Sequence, residues 1–141
     1  MPFPVIRTCI ICELVRPEAL NKHILLGYFG VAPDVRIAVA SFETPIQLYF
    51  VFAGGPGEGR FRVAVRITAP GGQTFDGSEA EGTLSLAAPT SNFFLGFSGI
   101  LPGPGNYRAT LLVNGEANFS TSFGLEPMPR SGMPPAPSLP R

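Results

Sequence analysis

The residues best suited to chemistry lie close together near the start of the chain. Cys9 and Cys12 form a Cys-x-x-Cys pair, and His23 is the only histidine of the protein. Thiolate and imidazole groups are common zinc ligands, and a Cys-x-x-Cys pair at a helix N-terminus can exchange thiols with disulfides. These residues raise two hypotheses, a metal-binding module and a redox site.

The residues around the two cysteines favour a structural role instead. They lie in the apolar stretch "CIIC", which is typical of a β-strand, and strand residues three apart point to opposite faces. Sulfur atoms on opposite faces do not bridge readily, and a zinc site needs two further ligands. We therefore expect Cys9 and Cys12 to be buried free thiols, with no metal and no cofactor. His23 begins the apolar stretch 23–30, so we expect it at the surface or at the end of a strand. A catalytic role is not expected, because no nucleophile motif such as G-x-S-x-G occurs in the chain.

A second group of reactive side chains follows the cysteines. Glu13, Arg16, Glu18 and Lys22 place four charges within ten residues of a chain that has only 14% charged residues. Two carboxylates around an arginine can perform acid–base chemistry, as in a hydrolase-type enzyme using Glu13, Arg16 and Glu18. The four residues flank a proline in a predicted connection between two strands. We therefore expect ion pairs that hold this connection, with a partner-binding patch as the second interpretation and catalysis as the third.

The composition limits the possible partners. The 141 residues carry 10 basic and 10 acidic groups, so the net charge is zero. This leaves no long-range field to attract nucleic acid or an anionic membrane. The glycine-rich stretch "AGGPGEGR" lacks the Lys-Ser/Thr pair of a phosphate loop and is predicted to be a hairpin turn. No segment is apolar enough to span a bilayer, and the N-terminus does not resemble a signal peptide, so we expect a cytoplasmic protein.

Short runs with period-two alternation predict an all-β fold. In "RFRVAVRIT" (60–68) apolar and basic residues alternate strictly, as in a half-buried strand, and Asn114-Gly115 is typical of a type I′ hairpin turn. Nine segments are predicted to be strands: 5–12, 23–30, 35–42, 46–53, 60–68, 83–88, 93–100, 107–113 and 119–125. Their number and spacing predict an immunoglobulin-like β-sandwich of eight or nine antiparallel strands over residues 1–125. Residues 126–141 hold six prolines and are predicted to form a Pro-rich tail.

One predicted strand is apolar on both of its faces. In "FFLGFSGI" (93–100) Phe93 and Phe97 point one way and Phe94 points the other. Such a strand is either covered on both sides within a sandwich or part of an interface. We take Phe93, Phe94 and Phe97 as interface candidates.

The stretch "ICELVRPEALNKHILLGYFG" resembles the N-terminal signature of the DUF6941 family, small bacterial proteins of unknown function. The matching positions are Cys12, Glu13, Arg16, Glu18, Lys22, Leu25 or Leu26, and Gly27. The stretch "PGNYRATLLVNGE" is also similar to the closing hairpin of that family, so that about a third of the chain is covered. The family pattern lacks Cys9. The resemblance implies a β-sandwich and no particular mechanism.

Together these patterns predict a role without catalysis. We expect a cytoplasmic binding or assembly module that pairs with a protein partner or with itself as a homo-oligomer. The alternatives are the enzyme using Glu13, Arg16 and Glu18 and the metal-binding module using Cys9, Cys12 and His23.

Overall fold

The part of the chain that the structure describes forms nine strands in two sheets. The structure, a computed structural model, describes residues 3–20 and 22–129. Within these residues there is no helix, and thus none that is long and apolar enough to cross a membrane. The strands are β1 (Ile6–Glu18), β2 (Lys22–Val31), β3 (Arg36–Val39), β4 (Ile46–Gly54), β5 (Gly59–Thr68), β6 (Thr74–Leu84), β7 (Ser91–Gly99), β8 (Gly105–Val113) and β9 (Glu116–Pro127). The predicted all-β class and the number of strands are confirmed. Of the predicted tail, residues 130–141 lie outside the described part.

Each sheet draws on distant parts of the chain. The order in the four-stranded sheet is β2-β1-β4-β7, and in the five-stranded sheet it is β3-β9-β8-β5-β6. All pairs are antiparallel except β3 and β9, which run parallel with Arg36 opposite Gly124. The prediction of antiparallel strands alone is therefore wrong at this pair. The reason is topological, because β3 joins the edge of a sheet whose other members are made much later in the chain.

The core lies between the two sheets and follows the alternation seen in the sequence. In β5 the side chains of Val63, Val65 and Ile67 are buried, while Arg62 and Arg66 stay on the outer face. The largest fully buried side chains come from both sheets and include Phe50, Phe52, Tyr107 and Phe123. Burial of such aromatic and aliphatic side chains, worth about 1.5–3 kcal/mol each, holds the two sheets together.

Two local features of the closing strands match their sequences. Asn114 and Gly115 have φ of 50° and 87°, which confirms the predicted type I′ turn between β8 and β9. Tyr107, at the start of β8, donates a hydrogen bond of 2.6 Å from its hydroxyl to the carbonyl oxygen of Gly103. This bond satisfies the one polar atom of a ring that is otherwise buried in the core.

The structure corrects three local predictions. The strand expected at 83–88 is β6 at Thr74–Leu84, which was missed because its inward positions beyond Gly77 are the small residues Ala80 and Gly82. The stretch "AGGPGEGR" joins β4 to β5, which belong to different sheets, so it is no hairpin turn. The connection expected after residue 12 is still strand, because β1 runs on to Glu18 by pairing with β2 alone.

Candidate functional site

The charged cluster lies at the tip of the β1–β2 hairpin. Arg16 donates a hydrogen bond of 3.0 Å from Nε to Oε2 of Glu18, and both side chains are exposed. Glu18 is also the register partner of Lys22, across the turn that closes the hairpin. Arg16, Glu18 and Lys22 therefore lie in the paired ends of two strands, and not in a loop that connects them.

Glu13 does not join the other charged residues of the cluster. It lies an odd number of residues from both Arg16 and Glu18 in a stretch of regular register, so its side chain points to the opposite face of the hairpin. There it lies over Gly27, where a β-carbon would come within 2.7 Å of Glu13 Cβ. The enzyme alternative required Glu13 and Glu18 to converge around Arg16, so it is wrong.

The two cysteines are buried, free and on opposite faces of β1, which confirms the structural interpretation. Cys9 belongs to the core between the sheets, and Cys12 faces outward. Burial, together with the nearby Cys12, raises the pKa of the Cys9 thiol to about 12. Burial also raises the pKa of Cys12, partly offset by the contact of its sulfur with the carbonyl oxygen of Leu14. Thiols held protonated in this way are poor nucleophiles.

The metal-binding alternative is also wrong. No three His, Cys, Asp or Glu side chains in the described part of the chain are placed to hold a metal ion. Cys9 and Cys12 point apart, and His23 lies on the hairpin, where its ring stacks on Phe94 with 4.1 Å between ring centroids.

The three interface candidates on β7 all have neighbours within the chain. Phe97 is buried in the core and contacts the ring of Phe75, and Phe93 stacks on Phe3 at 5.3 Å. Phe94 faces outward and is covered by His23. β7 is thus apolar on both faces because the second sheet covers one face and the hairpin covers part of the other.

The β1–β2 hairpin bends over the outer face of the four-stranded sheet. β1 stops pairing with β4 after Cys12, yet His23 near the hairpin tip reaches Phe94 on β7, at the far edge of the same sheet. Val51 points outward from β4 and is nevertheless only 4% exposed. The side-chain amide of Gln47 donates to the carbonyl oxygen of Glu13 at 3.2 Å and ties the bent hairpin to β4.

β2 is the edge strand in the order β2-β1-β4-β7, so no other strand of the described chain pairs with its second edge. On its outer face β2 presents Leu26, Tyr28 and Val31, which are 37%, 60% and 42% exposed. We call these three residues the β2 edge surface. They oppose the outward residues Leu14, Cys12 and Ile10 of β1, so they lie on one face of the hairpin.

The β2 edge surface was not predicted from the sequence. The stretch from His23 to Val31 was correctly predicted to be a strand, but nothing in its composition places it at the edge of a sheet. One clue was that no acidic or basic residue lies between Lys22 and Asp34, whereas another edge strand, β6, carries three carboxylates. The residues singled out instead, Glu13 to Lys22, lie beside the edge surface at the hairpin tip.

Comparisons with known proteins leave the family open. No protein-family model matches the chain, and a search of curated proteins found no match. The DUF6941-like resemblance therefore stays a prediction. Among solved structures, the chain is similar to Pseudomonas fluorescens alkylpurine DNA glycosylase AlkC bound to DNA containing an abasic site analog, with a TM-score of 0.38 and 16% identity. The match covers 67% of this chain and 28% of the glycosylase chain.

This comparison corrects the function expected from the sequence. The similar structure is that of a DNA glycosylase, and no comparison supports the non-enzymatic binding or assembly role that was expected. That assignment is withdrawn. A likeness at this TM-score transfers neither activity nor substrate, and the narrower statement that the chain has no catalytic activity stays a prediction.

Proposed function

We propose that the chain recognises a protein partner by accepting one extended strand of that partner along β2. The observation that carries the proposal is that β2 is a ten-residue edge strand with three exposed apolar side chains and no charge from His23 to Val31. An unpaired strand edge offers a row of backbone donors and acceptors that another main chain satisfies by strand addition. The proposal is one of recognition, and it applies equally to a domain of an enzyme and to a free-standing protein.

Charge at the two ends of β2 suggests the direction of the added strand. Lys22 begins β2, and Asp34 follows its end. An antiparallel strand with an acidic residue near its C-terminus and a basic residue near its N-terminus matches both charges. Apolar residues at alternate positions of that strand would lie beside Leu26, Tyr28 and Val31.

A designed peptide tests the proposal. The probe is Ac-Lys-Thr-Val-Thr-Val-Thr-Val-Glu-NH2, titrated into the ¹⁵N-labelled full chain while amide chemical shifts are followed. We expect shifts confined to β2 and its neighbours on β1. Y28K should weaken binding about tenfold or more, because it places a charge beside the apolar residues of the added strand. T83K, the same kind of change on the charged edge strand β6, should leave binding unchanged.

Two results would overturn the proposal. One is absence of binding at millimolar peptide, or shifts that lie on other strands. The other is a wild-type dimer in light scattering that Y28K converts to a monomer, since a second copy would then be what covers β2.

We also propose that the sandwich is immunoglobulin-like. The order β9-β8-β5-β6 is that of strands G, F, C and C′ in such domains, and β1-β4-β7 corresponds to A, B and E. Tyr107 at the start of β8 then takes the place of the tyrosine corner of strand F, which bonds back to the backbone a few residues upstream. Cytoplasmic localisation stays a prediction, supported by the two free thiols.

A further inference from the structure

A groove opens between the edge strands β6 and β7, which belong to different sheets. It has a volume of about 300 Å³. Its walls are residues 80–84 of β6 and 92–95 of β7, and its floor is formed by Phe61 and Val63 of β5. Most of its lining is apolar.

The groove exists because β6 carries small residues at its inward positions. Ala80 opposes Val63 and Gly82 opposes Phe61, so both point toward the other sheet, and both are exposed. A β-carbon added at Gly82 would meet no atom within 4 Å. At Gly77 on the same strand, a β-carbon would lie only 2.7 Å from the carbonyl oxygen of Gly96 on β7. The two edge strands therefore touch at Gly77 and diverge toward Gly82.

Two of the rings that line the groove already pack against a third aromatic ring of the same chain. The ring of Phe3 lies edge-on to Phe61 at 4.9 Å and stacks on Phe93 at 5.3 Å, and both of these rings line the groove. Edge-to-face and offset-stacked contacts of this kind are favourable beyond the area they bury. The Phe3 contacts show that the rings of Phe61 and Phe93 accept an aromatic neighbour, and their groove-facing sides offer the same kind of contact.

The walls of the groove offer unpaired backbone groups. Within the described chain β6 pairs only with β5, and β7 pairs only with β4. The Ser78 hydroxyl accepts a hydrogen bond of 2.7 Å from the Gly96 amide across the point of contact, outside the groove. A peptide main chain running along either wall would satisfy backbone groups that a small apolar molecule would leave to water.

The charges near the groove are already neutralised. Arg60 donates to Glu81 at 2.9 Å on the outer face, and Arg62 lies within 4 Å of both Glu79 and Glu81. The groove therefore presents no free charge to a ligand, and an uncharged segment fits it best.

From these observations we infer a second binding site, in which the groove between β6 and β7 takes an extended, uncharged peptide segment with an aromatic anchor residue. The aromatic side chain lies over Phe61 and Val63 beside the ring of Phe93, and the peptide backbone runs along a wall. This site is distinct from the β2 edge surface, because none of Leu26, Tyr28 and Val31 lines the groove.

Two matched peptides test the inference. The probes are Ac-Gly-Val-Phe-Val-Gly-NH2 and the same peptide with alanine at its centre, each titrated into the ¹⁵N-labelled full chain. We expect the phenylalanine peptide to shift the amides of residues 80–84 and 92–95. The alanine peptide should bind at least about tenfold more weakly, because it lacks the ring that the groove would bury.

Three variants separate the groove from other sites. G82L fills the groove from its own wall and should lower the affinity for the phenylalanine peptide about tenfold or more. T74V, at the exposed start of β6 and outside the groove, should not change it. Y28K should leave this binding intact, so failure of the β2 proposal and failure of this one are distinguishable.

Equal binding of the two peptides, shifts outside the groove, or undiminished binding by G82L would each overturn the inference. The amide spectrum and melting temperature of G82L, expected to match those of the wild type, verify that the variant folds.

Discussion

The two sides of the sandwich end in edge strands of opposite character. On one side, β6 carries Asp76, Glu79 and Glu81 on its outer face, each within 4 Å of an arginine of β5. On the other side, β2 carries no charged residue after Lys22 and exposes Leu26, Tyr28 and Val31. The two edge strands differ in the side chains of their outer faces, whereas a single hydrophobic core lies between the sheets.

The difference indicates which edge is built to remain free. Natural sheets protect their edges with charged side chains, short strands and bulges, because an open apolar edge pairs with other chains. β6 has the charges, and β3 is only four residues long. β2 has a register shift near Phe29 but neither of the other protections. β7 is also uncharged, but its outward Phe94 is covered by His23 of β2. β2 therefore stands apart as a long edge strand with exposed apolar side chains, which a partner strand best explains.

The largest expected effect concerns the contact that closes the β6 side. In G77A the new methyl would lie 2.5 Å from Val65 Cγ1 and 2.7 Å from Gly96 O, so we expect the free energy of unfolding to fall by about 1–3 kcal/mol. G82A, on the same strand, adds its methyl to open space and should raise stability by about 0.4–1 kcal/mol. Urea denaturation measures both. Equal effects of the two substitutions would show that β6 and β7 do not touch at Gly77.

The next largest effect concerns the buried Cys9 thiol of β1, the strand that pairs with β2. The Cys9 thiol has its pKa raised to about 12 by burial, so the folded state keeps a proton that the unfolded chain releases near pH 9. Stability is therefore unaffected at neutral pH and falls as the pH rises above 9, by about 1.4 kcal/mol per pH unit. Urea denaturation at pH 7 and pH 10 should show this loss in the wild type.

C9A is the control for the alkaline loss. The pKa values of Cys12 and Tyr107 are also raised by burial and act in the same direction, so part of the loss remains in this variant. The difference between the two proteins at pH 10, relative to pH 7, should be about 1.4 kcal/mol. An identical pH dependence in C9A would mean that Cys9 is not buried as described.

The smallest effect concerns the charged edge itself. R62A removes the arginine that lies near both Glu79 and Glu81, but all three side chains are more than 40% exposed. We expect a loss of less than about 1 kcal/mol, which 1 M salt should reduce further. R108A, on the same outer face but without an ion pair among the described residues, should show no salt dependence. A loss well above this range would mean that the ion pairs stabilise β6 as well as protect its edge.

The sequence predicts the alternating strands well and the edges poorly. Strict alternation in β5 and the Asn114-Gly115 turn are local patterns, so they were recognisable without the fold. β6 was misplaced because Ala80 and Gly82 face a groove and need not be large, which removes the apolar alternation that marks a strand. The β2 edge surface depends on which strands are neighbours, and neighbours are set by pairings between distant residues such as Arg36 and Gly124.

The parallel pair of β3 and β9 also has a consequence for biosynthesis. β3 is made early, yet its backbone partner is the last strand of the sandwich, with Ile37 opposite Leu125 and Val39 opposite Pro127. During translation Ile37 and Val39 must wait for nearly the whole described chain before they can be buried, at about 5–20 residues per second. A chain that stops short of β9 therefore leaves these apolar side chains exposed. Exposed apolar side chains of this kind are what chaperones and proteases recognise in incompletely folded chains.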